Sequence, residues 1–184
     1  MIVKFEDTLA TISEQYRKQQ QDMHNNPNYG VASLTFAPIV AKIMKENYIN
    51  SISDYGAGKK RLLEGLKREN IHDFDYFPYD PAFPEYGQPQ QAELVCCIDV
   101  LEHIEPEFVE NVIDELSQIT KRIGFLSIHT GPAGKFLSDG RNAHLIQEKS
   151  SWWLPRLCKF FDVIHLQTHN YHGRGFWVLI TPKR

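Results

Sequence analysis

Residues 50–61 read Asn-Ser-Ile-Ser-Asp-Tyr-Gly-Ala-Gly-Lys-Lys-Arg, and the predicted fold can be built outward from them. A short run with alternating apolar residues reaches Asp54, and Gly56 and Gly58 then flank one alanine before a helix-forming stretch. A strand, a glycine turn and a helix in this order bring backbone N–H groups and a helix N-terminus close to a ligand, because glycine leaves the approach open. A Gly-x-Gly pair alone equally fits an ordinary tight turn, so its interpretation depends on the motifs in the rest of the chain.

Composition and charge limit the classes of protein that this chain can belong to. The 184 residues are 42% hydrophobic and 23% charged, with a formal net charge of −3, which is typical of a single soluble domain. This charge balance argues against a strongly basic nucleic-acid binder without excluding a local basic groove. The three cysteines fit neither a disulfide framework nor a zinc-ligand spacing, and we see neither a signal peptide nor an apolar span. We therefore expect a cytoplasmic protein that does not enter a membrane.

Apolar periodicity and turn residues predict an alternation of helices and strands. The predicted helices cover residues 3–23, 33–47 with Pro38 in the first turn, 60–69, 106–121 and 150–159. The predicted strands cover residues 49–54, 74–79, 94–98, 124–130, 161–167 and 175–181. This order indicates an α/β protein with a Rossmann-like open sheet, mostly parallel, with an antiparallel edge strand, helices on both faces and two extra N-terminal helices. We interpret the N-terminal helices as packing elements or a lid, favour packing for the first, and expect a lid contact at Tyr29.

Three acids, Asp54, Asp80 and Asp99, follow or end predicted strands. Ligands of open α/β sheets bind beyond the carboxyl ends of the strands, so these acids are predicted to face a ligand. Asp80 comes about 26 positions after Asp54, close to where nucleotide-binding folds place the acid that binds a ribose diol. The alternative for Asp80 is a solvated acid in an Asp-Pro turn. Asp54 is predicted to brace the glycine turn or to receive a ligand ammonium group.

With these motifs in place, residues 29–184 resemble the class I S-adenosylmethionine-dependent methyltransferases. The resemblance rests on Asp54-Tyr-Gly-Ala-Gly58, on Asp80, and on Asp99-Val-Leu-Glu-His-Ile104, which is similar to a run of the ubiquinone-biosynthesis-type O-methyltransferases. It implies one domain over 1–184, with N-terminal helices or a lid in 1–48 and a cofactor-binding sheet in 49–184. It also implies S-adenosylmethionine as the cofactor and S-adenosylhomocysteine as its product. The predicted cofactor-binding residues are Tyr29, Asp54, Tyr55, Gly56, Ala57, Gly58, Asp80, Pro81, Asp99 and Val100.

The chain departs from the family pattern in two places. Lys60 stands where the third glycine of the fuller loop pattern would fall. The stretch from Asp80 to Leu94 is too short for the family's full helix, strand and adenine-contacting acidic loop. Glu85 or Gln91 is a candidate substitute for that acidic contact, and the adenine pocket stays unassigned.

The predicted catalytic residues are His103, His144, Glu102 and Arg141. A hydroxyl acceptor needs a base or a metal, and His103, His129 and His144 are base candidates, although His129 fits a structural role best. Asp99-x-x-Glu102-His103 with the later His144 also resembles the metal-binding run of plant-type small-RNA 2′-O-methyltransferases. A divalent metal on Glu102, His103 and His144 is the less favoured alternative, because related runs also occur in metal-independent family members. Arg141 is interpreted as a ligand for an acceptor carboxylate or phosphate, or as a residue that pins its loop.

These observations predict a methyltransferase that acts on a hydroxyl group of a small molecule or glycan by in-line transfer. Two alternatives remain: a metal-assisted RNA 2′-O-methyltransferase, and a degenerate protein of the same fold that binds the cofactor without turnover. Nucleic acid is the less favoured partner, and the oligomeric state is left open.

Overall fold

The structure, a computed structural model, describes residues 9–183 of the chain. The strands are β1 (Ser51–Tyr55), β2 (Asp75–Tyr79), β3 (Ala92–Ile98), β4 (Thr120–His129), β5 (Phe161–His169) and β6 (Gly175–Pro182). They form a six-stranded sheet in the order β2-β1-β3-β4-β6-β5. The first four strands are parallel, whereas β6 runs antiparallel to both β4 and β5. The predicted Rossmann-like sheet with an antiparallel edge is therefore confirmed.

The helices are α1 (Glu14–His24), α2 (Ala32–Asn47), α3 (Arg61–Arg68), α4 (Val109–Ile119) and α5 (Ser150–Phe160). Four of them each bury a pair of side chains spaced four residues apart, which places both members on one face of the helix. These fully buried pairs are Phe36/Val40, Leu62/Leu66, Val112/Leu116 and Trp153/Leu157. Helices α2 and α3 cover one face of the sheet, and α4 and α5 cover the other. Residues 94–98 of β3 are all apolar, and their alternating side chains enter both cores.

Helix α1 begins later than the apolar spacing predicted. Residues 1–8 of the predicted 3–23 helix lie outside the described residues, and residues 9–13 are not helical. Ser13 caps the helix, since its hydroxyl oxygen accepts the backbone N–H of Tyr16 at 3.2 Å. Ser13 also donates its own N–H and hydroxyl to the two carboxylate oxygens of Glu105, both at 2.7 Å. These bonds to a distant residue, invisible to local periodicity, hold the chain in its non-helical course before residue 14.

Two proline positions also differ from the prediction. Helix α2 begins at Ala32, so Pro38 lies inside the helix rather than in its first turn. Helix α4 begins at Val109, and Pro106 therefore lies in the turn that precedes it. The N–H of Phe108 donates to the carbonyl of Glu105 across that turn. Proline marks the approach to a helix here without being its first residue.

The connection between β2 and β3 is short, as the sequence indicated. Its regular structure is a three-residue 3-10 turn, Pro84–Tyr86. Because this connection contributes no strand to the sheet, β2 is an edge strand. Pro78 within β2 has no N–H group, so it cannot donate a hydrogen bond to a further strand at this edge.

Strand order places a crevice beside the glycine turn. From β1 the chain moves to β2 on one side, while β3 and β4 lie on the other side. Open α/β sheets bind ligands at such a reversal, beyond the carboxyl ends of the strands. Over residues 9–183, none of the helices combines the length and the apolar character that crossing a membrane requires.

Candidate functional site

A cavity of about 380 Å³ lies at the carboxyl ends of β1, β2 and β3. It brings together residues that are far apart in the sequence, including nearly the whole predicted cofactor-binding set. The predicted residues that line it are Tyr29, Tyr55, Gly56, Ala57, Gly58, Asp80, Pro81, Asp99, Val100, His103, His129 and His144.

The glycine turn between β1 and α3 requires its glycines. Gly56 and Gly58 have φ values of +79° and +46°, in the left-handed region. A Cβ on Gly56 would lie 2.3 Å from a methyl carbon of Val100. The N–H groups of Gly56 and Ala57 both donate to the carbonyl of Tyr79, at 2.7 and 2.9 Å. The turn is therefore tied to β2 and lies directly against the residue that follows Asp99.

Asp80 has acceptor capacity left for a ligand. Its two carboxylate oxygens accept the N–H groups of Gly58 at 2.9 Å and Ala82 at 2.8 Å. A carboxylate has about four acceptor positions, so these bonds leave roughly half of them free. Burial raises the pKa of Asp80, and the two N–H donors oppose that shift. Asp80 is thus buried and held in place by backbone donors, unlike a solvated acid in an Asp-Pro turn.

His24 covers Asp80 from the end of α1. Its Nε2 lies 3.8 Å from a carboxylate oxygen of Asp80, and its ring packs edge-to-face on Tyr29 and Phe83. Burial, with the charge of Lys59, lowers the pKa of His24 to about 4. The imidazole is therefore neutral at pH 7, and the contact with Asp80 is not an ion pair.

Asp54 does not line the cavity, which corrects the predicted ligand contact. Its side chain is 2% exposed and accepts a hydrogen bond from the hydroxyl of Tyr76 on β2. Burial raises the pKa of Asp54 to about 7, and the Tyr76 hydrogen bond partly opposes that rise. The carboxyl group joins two strands beneath the glycine turn.

Helix α1 lies over the cavity, although packing was the favoured interpretation. Tyr16, Gln20 and His24 line the cavity from successive turns of the helix. Gln20 donates to the Tyr16 hydroxyl at 2.7 Å and accepts from the Tyr29 hydroxyl at 2.9 Å. The Tyr16 hydroxyl donates to the carbonyl of His103 at 2.5 Å. Tyr16, Gln20 and His24 are polar residues spaced four positions apart, which places them on one face of the helix. This pattern was the sequence signal that could have identified the face of α1 that lines the cavity.

His103 and His144 each direct one ring nitrogen to a backbone carbonyl. Nδ1 of His103 lies 2.7 Å from the carbonyl of Ala143, and Nδ1 of His144 lies 2.7 Å from that of Gly131. A carbonyl only accepts, so each Nδ1 carries the proton and each Nε2 keeps its lone pair. Burial lowers the pKa of both rings, to about 3 at His103, where His144 adds to the effect. Both imidazoles are therefore neutral acceptors at pH 7.

Glu102 lies behind these two rings and is fully buried. One carboxylate oxygen accepts the N–H of His129 at 2.9 Å, while the other has no hydrogen-bond partner within residues 9–183. Burial, with the nearby charge of Asp99, raises the pKa of Glu102 well above its usual value. A carboxylate oxygen of Glu102 and one nitrogen from each of His103 and His144 lie within 4.8 Å of one another. The predicted trio is therefore brought together in space.

His129 lines the cavity but has both ring nitrogens bound to backbone groups, and Arg141 lies outside the cavity lining. Nδ1 of His129 accepts the N–H of Gly131 at 3.0 Å, and its Nε2 lies 3.1 Å from the carbonyl of His172. With both nitrogens hydrogen-bonded to backbone groups, His129 is a weaker base candidate than His144, and its structural role stays a prediction. Arg141 does not line the cavity, because its guanidinium pairs with Asp139 at 2.8 Å and also binds Gln19. This placement corrects the catalytic assignment of Arg141 and agrees with a residue that pins its loop.

No protein-family model matches the sequence, and no curated protein matches it significantly.

Solved structures, in contrast, superpose over most of the chain. A 1,6-didemethyltoxoflavin-N1-methyltransferase from Burkholderia thailandensis, with bound S-adenosylhomocysteine, gives a TM-score of 0.66 at 11% identity, over 97% of this chain and 94% of that one. Magnesium protoporphyrin IX methyltransferase from Synechocystis, also with bound S-adenosylhomocysteine, gives 0.55 at 11% identity, over 92% and 95%. A mitomycin 7-O-methyltransferase gives 0.62 at 15% identity, over 90% of this chain and 60% of its own. At these identities the likeness establishes a shared fold.

Proposed function

We propose that this protein, which has the fold of the class I S-adenosylmethionine-dependent methyltransferases, is itself such an enzyme and methylates a hydroxyl group of a small molecule or glycan. One observation carries the proposal. The glycine turn, the Asp80 carboxylate, Asp99 and the acceptor nitrogens of His103 and His144 all line one cavity. Its volume of about 380 Å³ lies in the usual range for small-molecule sites.

The residues present fit such a cofactor. Asp80 keeps acceptor positions for a ribose diol, and Asp99 offers a second carboxylate in the same cavity for a cationic ligand. Gly56 and Gly58 line the cavity without a Cβ, and a Cβ at either position would meet Val100 or His24. When bound, S-adenosylmethionine supplies a methyl group activated by its sulfonium. The chain's own task is then to align an acceptor and to keep water out.

His144 is proposed as the general base for the acceptor hydroxyl. Its Nδ1–H donates to Gly131, which orients the ring and leaves Nε2 free to take the proton. A useful base has a pKa near the working pH, and His103, whose pKa is lowered to about 3, is the weaker candidate. Tyr16, Gln20 and Tyr29 close the cavity from above with a connected set of hydrogen bonds.

Support for a small acceptor comes from the cavity and from the neighbouring proteins. Helix α1 encloses the cavity, which leaves less room for a folded macromolecule than an open groove would. The structural neighbours include methyltransferases named for magnesium protoporphyrin IX, 1,6-didemethyltoxoflavin and mitomycin. The net charge of −3 gives no general attraction to nucleic acid.

A second candidate, metal-assisted methylation such as that of an RNA 2′-hydroxyl, is favoured by Glu102. This buried carboxyl group has an unpartnered oxygen, and a cation bound there would offset the cost of ionising the group in its buried position. Each neighbouring imidazole already donates Nδ1–H to a carbonyl, as metal-ligating histidines commonly do. Glu102, His103 and His144 would hold a divalent ion, whose chemistry would be to polarise a hydroxyl.

The test is S-adenosylhomocysteine release from S-adenosylmethionine with a panel of hydroxylated small molecules and glycans, with and without chelator. We expect chelator-resistant turnover that His144→Gln reduces by about 10²-fold or more, the usual contribution of a general base. The matched control, His72→Gln, changes an exposed histidine away from the cavity and should keep full activity. Turnover that requires Mn²⁺ and disappears in Glu102→Gln would favour the metal-assisted candidate. Cofactor binding without turnover on any acceptor, RNA included, would favour the non-catalytic alternative.

A further inference from the structure

Residues 10–13, called here the N-terminal segment, run along the start of α4 and reach the cavity. Asn111 of α4 donates its side-chain amide to the carbonyl of Ala10 at 2.7 Å. Ser13 donates its N–H and hydroxyl to the carboxylate of Glu105, both at 2.7 Å. Between these two attachments, Thr11 and Ile12 line the cavity.

On the α4 side the cavity has mainly apolar and aromatic walls. We call this part the α4-side recess, and its residues are Thr11, Ile12, Tyr55, Tyr79 and Ile104. The rings of Tyr55 and Tyr79 lie 4.8 Å apart, and the Tyr55 hydroxyl donates to Glu115 of α4 at 2.6 Å. Asp80, which follows Tyr79 in the chain, lines the same cavity. A flat, largely apolar group next to a ribose on Asp80 would suit these walls.

The connection from β2 to β3 does not provide a wall for this recess. Of its residues, Asp80 and Pro81 line the cavity, and residues 82–91 do not. Gln91, a predicted substitute for the adenine-contacting acid, donates to the carbonyl of Gln118 near the end of α4, away from the cavity. Glu85 lies in the 3-10 turn and is also absent from the cavity lining.

We propose that the N-terminal segment replaces this missing wall, so that the adenine base of the cofactor binds in the α4-side recess between Tyr79 and the side chains of Ile12 and Ile104. This inference rests on the proposed function, because it assigns the base-binding part of the same site. The glycine turn and Asp99 take the amino-acid end, which leaves the recess on the other side of Asp80 for the base. Bases stack favourably on aromatic side chains.

The attachments of the segment have a consequence for ligand binding. Thr11, Ile12 and Ser13 are only half-buried, and Leu9 just before them is 63% exposed. Polar hydrogen bonds, rather than extensive apolar burial, therefore hold the segment, and such elements open at low cost. A base in the recess would add contacts to Ile12 and hold the segment closed.

Calorimetric titration with S-adenosylhomocysteine and with 5′-methylthioadenosine, which carries the adenosine part without the amino acid, tests the assignment. Ile12→Asp should weaken both ligands at least tenfold, since it places a charge against the base. Leu9→Asp introduces the same charge three residues earlier, outside the cavity, and should bind both within twofold of the wild type. Equal affinities of the two variants would overturn the inference. If wild-type protein binds no S-adenosylhomocysteine, the proposed function itself fails and this assignment falls with it.

Hydrogen exchange of the wild-type protein gives an independent readout that needs no variant. Amides of residues 10–13 should exchange at least fivefold more slowly with saturating S-adenosylhomocysteine, while those of the distant edge strand β5 should not change. Unaltered exchange in residues 10–13, with binding demonstrated, would refute a wall formed by this segment.

Discussion

Replacing Gly56 by alanine should destabilise the protein more than replacing Gly140, although the two glycines have similar φ values, +79° and +86°. At Gly140 nothing lies within 4 Å of the added Cβ, so the cost is that of the positive φ alone, about 1–2 kcal/mol. At Gly56 the Cβ would lie 2.3 and 3.0 Å from the two methyl carbons of Val100. A β-branched side chain has little freedom to turn both methyl groups away, and overpacking adds about 1–3 kcal/mol.

Urea and thermal unfolding of the two variants measure this difference. For a chain of this size each kcal/mol shifts Tm by about 2–4 °C, so Gly56→Ala should melt at least about 2 °C below Gly140→Ala. Adding Val100→Ala to Gly56→Ala should recover most of the extra loss, because it removes the two methyl groups that clash. Equal destabilisation at the two glycines would refute the close approach of the turn to Val100, as would a double variant that recovers nothing.

Three further predictions concern the acids near the site and one helix end. Asp80→Asn should weaken S-adenosylhomocysteine binding, measured by calorimetry, by roughly tenfold or more. This is the effect of losing one charge-assisted hydrogen bond, about 1.5–3 kcal/mol. The control Asp75→Asn, at the exposed start of β2, should leave the affinity unchanged. Because burial raises the pKa of Asp54 to about 7, the folded state keeps a proton that the unfolded chain releases near pH 4, so this group's contribution to stability falls as pH rises from about 4 to 7. Asp54→Asn should remove that decline and gain up to about 4 kcal/mol at pH 8 in urea unfolding, and an unchanged pH dependence would contradict the buried carboxyl. Tyr48→Gly should raise Tm by about 2–4 °C, since Tyr48 ends α2 in a left-handed conformation while 85% exposed, and a lower Tm would show that the ring is stabilising.

The parts of the fold that the sequence predicted are those with strong local signals. The apolar run 94–98 and the alternation of strands and helices predicted the sheet, and the glycine turn marked its ligand edge. The antiparallel pairing of β5 and β6 was expected from their short connection. Each of these features depends on residues close together in the chain.

The parts that sequence reasoning missed depend on long-range contacts. Asp54 meets Tyr76 diagonally across the β1–β2 pairing, where Ile52 is the direct partner of Tyr76, and that register is not readable from either strand alone. The place of α1 over the cavity depends on bonds such as Ser13 to Glu105, which lie 92 residues apart. The pairing of Arg141 with Asp139 was different, because a partner two residues away was visible in the sequence.

Calorimetric titration of the wild-type protein with S-adenosylhomocysteine tests the central claim most directly. The cavity that joins the glycine turn, Asp80 and Asp99 predicts saturable binding at one site per chain with a micromolar dissociation constant. The absence of any binding by protein that melts cooperatively would contradict the claim, and the cavity would then have to serve a different ligand.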